Sequence, residues 1–183
     1  MIRLFNKSQI MTIPNLLSMF RILLLAPIVW LYNCKQDYAT AIILLIVSGL
    51  TDIADGIIAR KFNMISDFGK ILDPIADKLT QFALLVCLAM RYKSIVYLVG
   101  VFVVKELLMI ALGYITIKKK DSVNSAKWYG KLNTVVIYST IVLLIMFPDI
   151  PQTVADMLAG ACIGIIIISF LLYARFYRGI LKN

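Results

Sequence analysis

The chain has 183 residues, 61% of them hydrophobic, a net charge of +9 and a mean hydropathy of +0.89. A soluble domain is about 45–50% apolar, so a water-soluble fold of this size could not hide so much apolar surface, and lipid is the expected solvent. The absence of histidine excludes an imidazole base, a His–zinc site and a Ser-His-Asp triad.

Residues 1–12 mix Ile2, Leu4, Phe5, Ile10 and Met11 with Arg3 and Lys7, which fits either a short helix in the membrane interface or a free tail. Six apolar segments follow, at roughly 16–33, 39–59, 72–92, 94–117, 129–147 and 155–174. Each approaches the ~20 residues that a bilayer-spanning helix needs. The first contains Arg21 and is not followed by a small-residue cleavage site, so it is expected to be a span and not a removable signal. No repeat or long linker interrupts the series, and the expectation is a single all-α membrane domain over 1–183, a six-transmembrane-helix bundle.

Orientation is read from Lys and Arg. With the N-terminus in the cytoplasm, the cytoplasmic pieces carry twelve of them, including Arg3, Lys7, Arg60, Lys61, Lys118, Arg175 and Arg178, and the outer loops carry three, Lys35, Arg91 and Lys93. The positive-inside rule therefore favours both termini in the cytoplasm. The positive charge belongs against anionic lipid, and no nucleic acid is expected as partner. Cys34, Cys87 and Cys162 are scattered and odd in number, and form neither a metal-ligand spacing nor a disulfide framework.

The informative stretch is TDIADGIIARKFNMISDFGKILDPIADK, residues 51–78. Asp52 and Asp55 are three apart, and Asp73 and Asp77 four apart, so each pair shares one helix face. Two neighbouring antiparallel helices can aim these four carboxylates into one space. Ionised carboxylates beside lipid cost a few kcal/mol each, and four together repel, so something positive must neutralise them. Hard divalent ions suit such an oxygen set, and two of them can clamp a phosphoryl group. Gly56 and Ala59 leave room for a ligand or a helix to approach closely. Gly69 lies four residues before Asp73, and Arg60 stands at the helix end, where a guanidinium can pair with a phosphate. Pro74 is tolerated if it lies in the first turn of the third helix. The plainer alternative is a surface cluster of aspartates paired with Arg60, Lys61, Lys70 and Lys78.

The stretch fits D-x2-D-G-x2-A-R-x8-G-x3-D-x3-D at every fixed position, through Asp52, Asp55, Gly56, Ala59, Arg60, Gly69, Asp73 and Asp77. It resembles the signature of the CDP-alcohol phosphotransferases. The likeness extends to the number of spans, the chain length and the opening TIPNLLSMFR at 12–21. The resemblance implies two metal ions, Mg²⁺ or Mn²⁺, on Asp52, Asp55 and Asp73, with Asp77 near a metal and acting as general base. It implies a CDP-donor site of Asn15, Asp52, Gly56, Ala59, Arg60, Gly69 and Asp73, with Arg60 near the diphosphate, open to the cytoplasm and sideways to lipid.

TIPNLLSMFR resembles the opening shared by phosphatidylglycerophosphate synthases and CDP-using cardiolipin synthases. Both take CDP-diacylglycerol as donor; the acceptor is glycerol 3-phosphate in the first and phosphatidylglycerol in the second. GKLNT at 130–134 resembles a basic segment of both, and Asn133 is nearer the cardiolipin type. The reading adopted is glycerol 3-phosphate, its phosphate held by some of Arg21, Lys105, Lys131 and Arg175. For each of these, snorkelling or a structural ion pair is the alternative. The expected partners are therefore CDP-diacylglycerol, one of the two acceptors and membrane lipids, with a homodimer as a further expectation. A transporter is a remote alternative, since the acids gather at one edge and paired halves are missing. The expected location is a bacterial-type cell membrane, with the site facing the cytoplasm.

Overall fold

The computed structural model describes residues 12–62, 64, 66, 68–120 and 128–182. The segment 1–12, apart from Thr12, lies outside them. Among the described residues the chain is all-α, with six helices in chain order. They are α1 (Ile13–Trp30), continued by one π-helical turn (Leu31–Lys35), α2 (Tyr38–Lys61), α3 (Gly69–Ala89), α4 (Lys93–Lys120), α5 (Trp128–Met146) and α6 (Gln152–Lys182). Four are long and apolar enough to cross a membrane: α1 with its π turn, α2, α4 and α6. The apolar part of α5, Gly130–Met146, is shorter. Helix α3 carries Asp73, Asp77 and Lys78, and these charges dilute its apolar character. The protein is an integral membrane protein. Its polarity is inverted accordingly: Ile43, Ile46, Ile53 and Ile57 of α2 are exposed, while Ser48 and Asp55 are buried.

The chain divides into two compact units, residues 1–87 and 88–183, with the boundary inside α3. In the first unit α1 packs along α2. Apart from the adjacent Pro14, their buried residues follow three-, four- and seven-residue steps: Asn15, Ser18, Arg21 and Ile28 on α1, and Ala41, Leu45, Ser48 and Asp55 on α2. Lipid gives no hydrophobic drive for helix association, so small and polar side chains make such seams. Pro14 sits in the first turn of α1, where its missing N–H has no intrahelical partner to lose.

Pro27 lies inside α1 and cannot donate to the carbonyl one turn back, and the helix ends soon after in the π turn. Gln36 then adopts a left-handed conformation, φ 54°. Asp37 starts α2 by accepting from the Thr40 amide at 3.1 Å and the Thr40 hydroxyl at 2.7 Å. Those contacts hold the exposed Asp37 carboxyl below its usual pKa. The Asn33 amide donates to Cys87 Sγ at 3.3 Å, tying the π turn to α3. Pro74 lies five residues beyond the start of α3, inside the helix and past its first turn. All three cysteines are free thiols.

In the second unit α6 packs against both α4 and α5. Ala155, Ala159, Cys162 and Ile166 form the buried stripe of α6, facing a core that includes Leu98, Phe102, Ile137 and Ile141. The Tyr92 hydroxyl donates to the Pro148 carbonyl at 3.1 Å and joins the turn before α4 to the turn after α5.

Candidate active site

The carboxylates arrive in pairs, as helical spacing requires. Asp52 and Asp55 come from α2, Asp73 and Asp77 from α3. Asp55 is only 4% exposed, whereas Asp52 and Asp77 are 44% and 37% exposed. Two side chains of α1, one turn apart, tie the four together. The Arg21 guanidinium is 2% exposed, and its Nη2 pairs with Asp55 Oδ2 at 2.7 Å and with Asp52 Oδ1. Its Nη1 pairs with Asp77 Oδ1. The Ser18 hydroxyl lies 3.2 Å from Asp55 Oδ2 and closer still to Asp73 Oδ1. Its single hydrogen serves one acceptor at a time.

Arg21, expected on an acceptor phosphate, is thus engaged with the aspartates. Ser18 was not singled out from sequence. The available signal was a hydroxyl three residues before Arg21, on the same face of an apolar helix. Arg21, which belongs to neither the α2 end nor the α3 start, pairs with Asp52, Asp55 and Asp77.

A second knot lies beside the first. The Asn15 amide donates to Ser66 Oγ at 3.0 Å, and Ser66 Oγ in turn lies 3.2 Å from Asn15 Oδ1. The Gly69 amide donates to the same hydroxyl at 2.9 Å. α1 therefore holds the end of the 62–68 connection against the first residue of α3. A Cβ on Gly69 would stand 2.5 Å from Asn15 Oδ1 and 3.0 Å from Ser66 Oγ, so only glycine fits. A Cβ on Gly56 would meet only Arg60 Nη2, at 3.6 Å, which leaves open room beside Asp55. Ala59 is half-buried, and its carbonyl accepts from the Met64 amide at 3.0 Å as α2 ends. Arg60 is exposed at that end.

The other expected cations belong to the second unit. Lys105 is buried and pairs with Glu106 at 2.7 Å, bordering an apolar groove between α4 and α6. Lys131 and Arg175 are exposed. Gly130 packs directly on the Tyr173 ring and hydroxyl, so α5 and α6 bring Lys131 and Arg175 to the same end of their pair.

Three of the four carboxylates pair with the Arg21 guanidinium, which can offset one unit of their charge. The donor set is all oxygen and converges on a positive centre, the chemistry that a hard divalent ion requires. Among the described residues, no three such side chains stand at metal-ligand spacing.

A sequence model of the CDP-alcohol phosphatidyltransferase family matches residues 11–174, nearly the whole chain and both halves of this cluster. The chain belongs to the CDP-alcohol phosphatidyltransferase family. Two enzyme names recur among its curated relatives. The chain is 32% identical, over 128 residues, to the CDP-diacylglycerol–glycerol-3-phosphate 3-phosphatidyltransferase of Aquifex aeolicus, a match covering 69% of this chain and 71% of that protein. It is 34% identical over 109 residues to the CMP-forming cardiolipin synthase of Streptomyces coelicolor, covering 57% of this chain and 51% of the relative. It is 37% identical over 113 residues to a cardiolipin synthase (CMP-forming)/mitochondrial hydrolase fusion protein of Schizosaccharomyces pombe. That match covers 61% of this chain but 19% of the fusion protein, so the chain spans only part of some relatives it matches.

Proposed function

We propose that this phosphatidyltransferase moves the phosphatidyl group from CDP-diacylglycerol to glycerol 3-phosphate, giving phosphatidylglycerophosphate and CMP. The observation that carries the reading is the convergence of Asp52, Asp55, Asp73 and Asp77 from two helices onto one centre, within a matched family segment. The choice of acceptor is supported by likeness to the Aquifex aeolicus protein over most of its length. The positive-inside bias supports a site facing the cytoplasm of a bacterial-type cell membrane.

Asp52, Asp55 and Asp73, with Asp77 beside them, are the residues to hold two divalent ions, Mg²⁺ or Mn²⁺. When bound, such ions neutralise the carboxylates and polarise the donor's diphosphate. The open room beside Gly56 admits the donor's polar group, with Arg60 available to a phosphate oxygen. The acceptor hydroxyl attacks the phosphorus that carries diacylglycerol. The new P–O bond forms as the P–O bond to CMP breaks, and CMP leaves as its anion. The hydroxyl is a weak nucleophile while protonated, and Asp77 is the group to take its proton. Asp77 lies one turn beyond Asp73, and its Oδ1 is oriented by Arg21. Lys131 and Arg175, at one end of the α5–α6 pair, are the candidates for the acceptor's phosphate.

The second reading, phosphatidylglycerol as acceptor, is favoured by the likeness to the CMP-forming cardiolipin synthases. The deciding experiment gives purified protein CDP-diacylglycerol with glycerol 3-phosphate or phosphatidylglycerol, and measures CMP release and the lipid product. Phosphatidylglycerophosphate is the expected product, and release is expected to stop on thorough chelation. Cardiolipin alone would establish the second reading, and full turnover after chelation would remove the metal ions from the mechanism.

A further inference from the structure

Arg21 is the unexplained charge of the site. Orienting Asp77 occupies only Nη1, and nothing in the transfer reaction requires the same guanidinium to pair with Asp52 and Asp55 as well. Its two Nη atoms divide the cluster: Nη2 stands between Asp52 and Asp55, and Nη1 stands on Asp77. Its Nε is buried without a hydrogen-bond partner among the described residues. A buried guanidinium with one donor idle is held less well than its five donors allow.

From this geometry we infer that Arg21 is a built-in counter-cation, occupying through Nη2 the ground between Asp52 and Asp55 that a divalent ion must take. This rests on the metal-dependent reading above. Without an ion, four carboxylates at the edge of a membrane helix pair would repel and draw the helices apart. Arg21 bridges α1 to both helices and keeps the acids converged. A divalent ion would bring twice the charge, and Asp52 and Asp55 would have to release Nη2 in order to hold it. Nη1 keeps its hold on Asp77, and Arg21 then positions that carboxylate. Ser18, one turn earlier, donates to Asp55 or to Asp73 without charge and need not move.

The cost of displacement appears as a weaker apparent affinity, because only the fraction of molecules with Nη2 released is competent to bind. Removing the guanidinium therefore tightens ion binding, although it removes a contact from the ligands. A residue that merely supported the carboxylates would have the opposite effect, since losing such support weakens binding.

The test uses the full chain in lipid nanodiscs. Wild-type protein labelled with ¹⁵N-arginine is titrated with Mg²⁺, and the guanidinium signals are followed by NMR, with Arg21 assigned from Arg21→Lys. Calorimetry with Mn²⁺ compares wild type with Arg21→Met. The expected result is an Arg21 Nη signal that shifts with the same midpoint as Mg²⁺ binding, and Mn²⁺ binding about tenfold tighter in Arg21→Met, a competent fraction of roughly a tenth in wild type. Arg21 signals unchanged at saturating Mg²⁺, or Mn²⁺ binding equal or weaker in Arg21→Met, would overturn the inference. If Arg21→Met does not fold, the wild-type titration decides alone. If wild type binds neither ion, the metal reading itself fails, and the two failures remain distinct.

Discussion

Replacing Gly69 by alanine sets the steric argument at its sharpest. The new methyl would lie 2.5 Å from Asn15 Oδ1 and 3.0 Å from Ser66 Oγ. Asn15 is 1% exposed and Ser66 6%, so neither side chain can swing into solvent. Relief requires Asn15 to leave Ser66, losing contacts of 3.0 and 3.2 Å. At about 0.5–1.5 kcal/mol for each of the two hydrogen bonds, and about 1–3 kcal/mol for a buried group deprived of its partner, the loss is about 2–6 kcal/mol. Alanine's better helix propensity returns at most about 1 kcal/mol. The expected net destabilisation is about 1–6 kcal/mol, read as the SDS-unfolding midpoint in mixed micelles. Transfer activity should fall with it, because the same knot fixes the start of the helix bearing Asp73 and Asp77. Gly56→Ala is the control. Its methyl makes ordinary contact with Arg60 Nη2 at 3.6 Å, so stability should hold or rise while the KM for CDP-diacylglycerol increases. Equal stability losses in the two variants, or an unperturbed Gly69→Ala, would refute the reasoning.

Other substitutions probe the chemistry. Asp77→Asn keeps size and polarity but removes the base, so turnover should fall about 10²–10⁴-fold with donor binding largely retained; near wild-type turnover at saturating metal would dismiss Asp77 from that role. Ser18→Ala removes the hydroxyl between Asp55 and Asp73 and should weaken Mn²⁺ binding measured by calorimetry, the opposite sign to Arg21→Met. Lys131→Ala should raise the KM for glycerol 3-phosphate more than that for CDP-diacylglycerol, and equal effects would count against its contact with the acceptor. Reporter fusions at each terminus should both report the cytoplasm, and opposite sides would contradict the charge-based orientation.

The features legible in the sequence are those set by local periodicity. Asp52 with Asp55 and Asp73 with Asp77 share faces because an α-helix repeats every 3.6 residues, and no tertiary knowledge is needed to see it. The six apolar segments became six helices for the same reason, with ends a few residues from those expected except that α6 runs on past 174 to Lys182. Composition alone also required lipid as solvent. What a side chain meets across a helix interface is a different matter. Arg21 reads equally well as a phosphate ligand, a snorkelling cation or an ion-pair partner until α1 is packed on α2. Its partners lie 31, 34 and 56 residues away, and no local rule pairs them. Ser18 was invisible because one serine in an apolar helix is ordinary until it stands between two carboxylates. Gly69 was read as part of a pattern, but its necessity lies in the space that Asn15 and Ser66 leave, a quantity defined only by three chain segments meeting. Pro74 differs for a simpler reason: α3 begins at Gly69, earlier than its apolar run, because the Gly69 amide finds its acceptor in Ser66 and not in the helix. Spacing along the chain determined which groups face together; packing between the helices decided what stands opposite them.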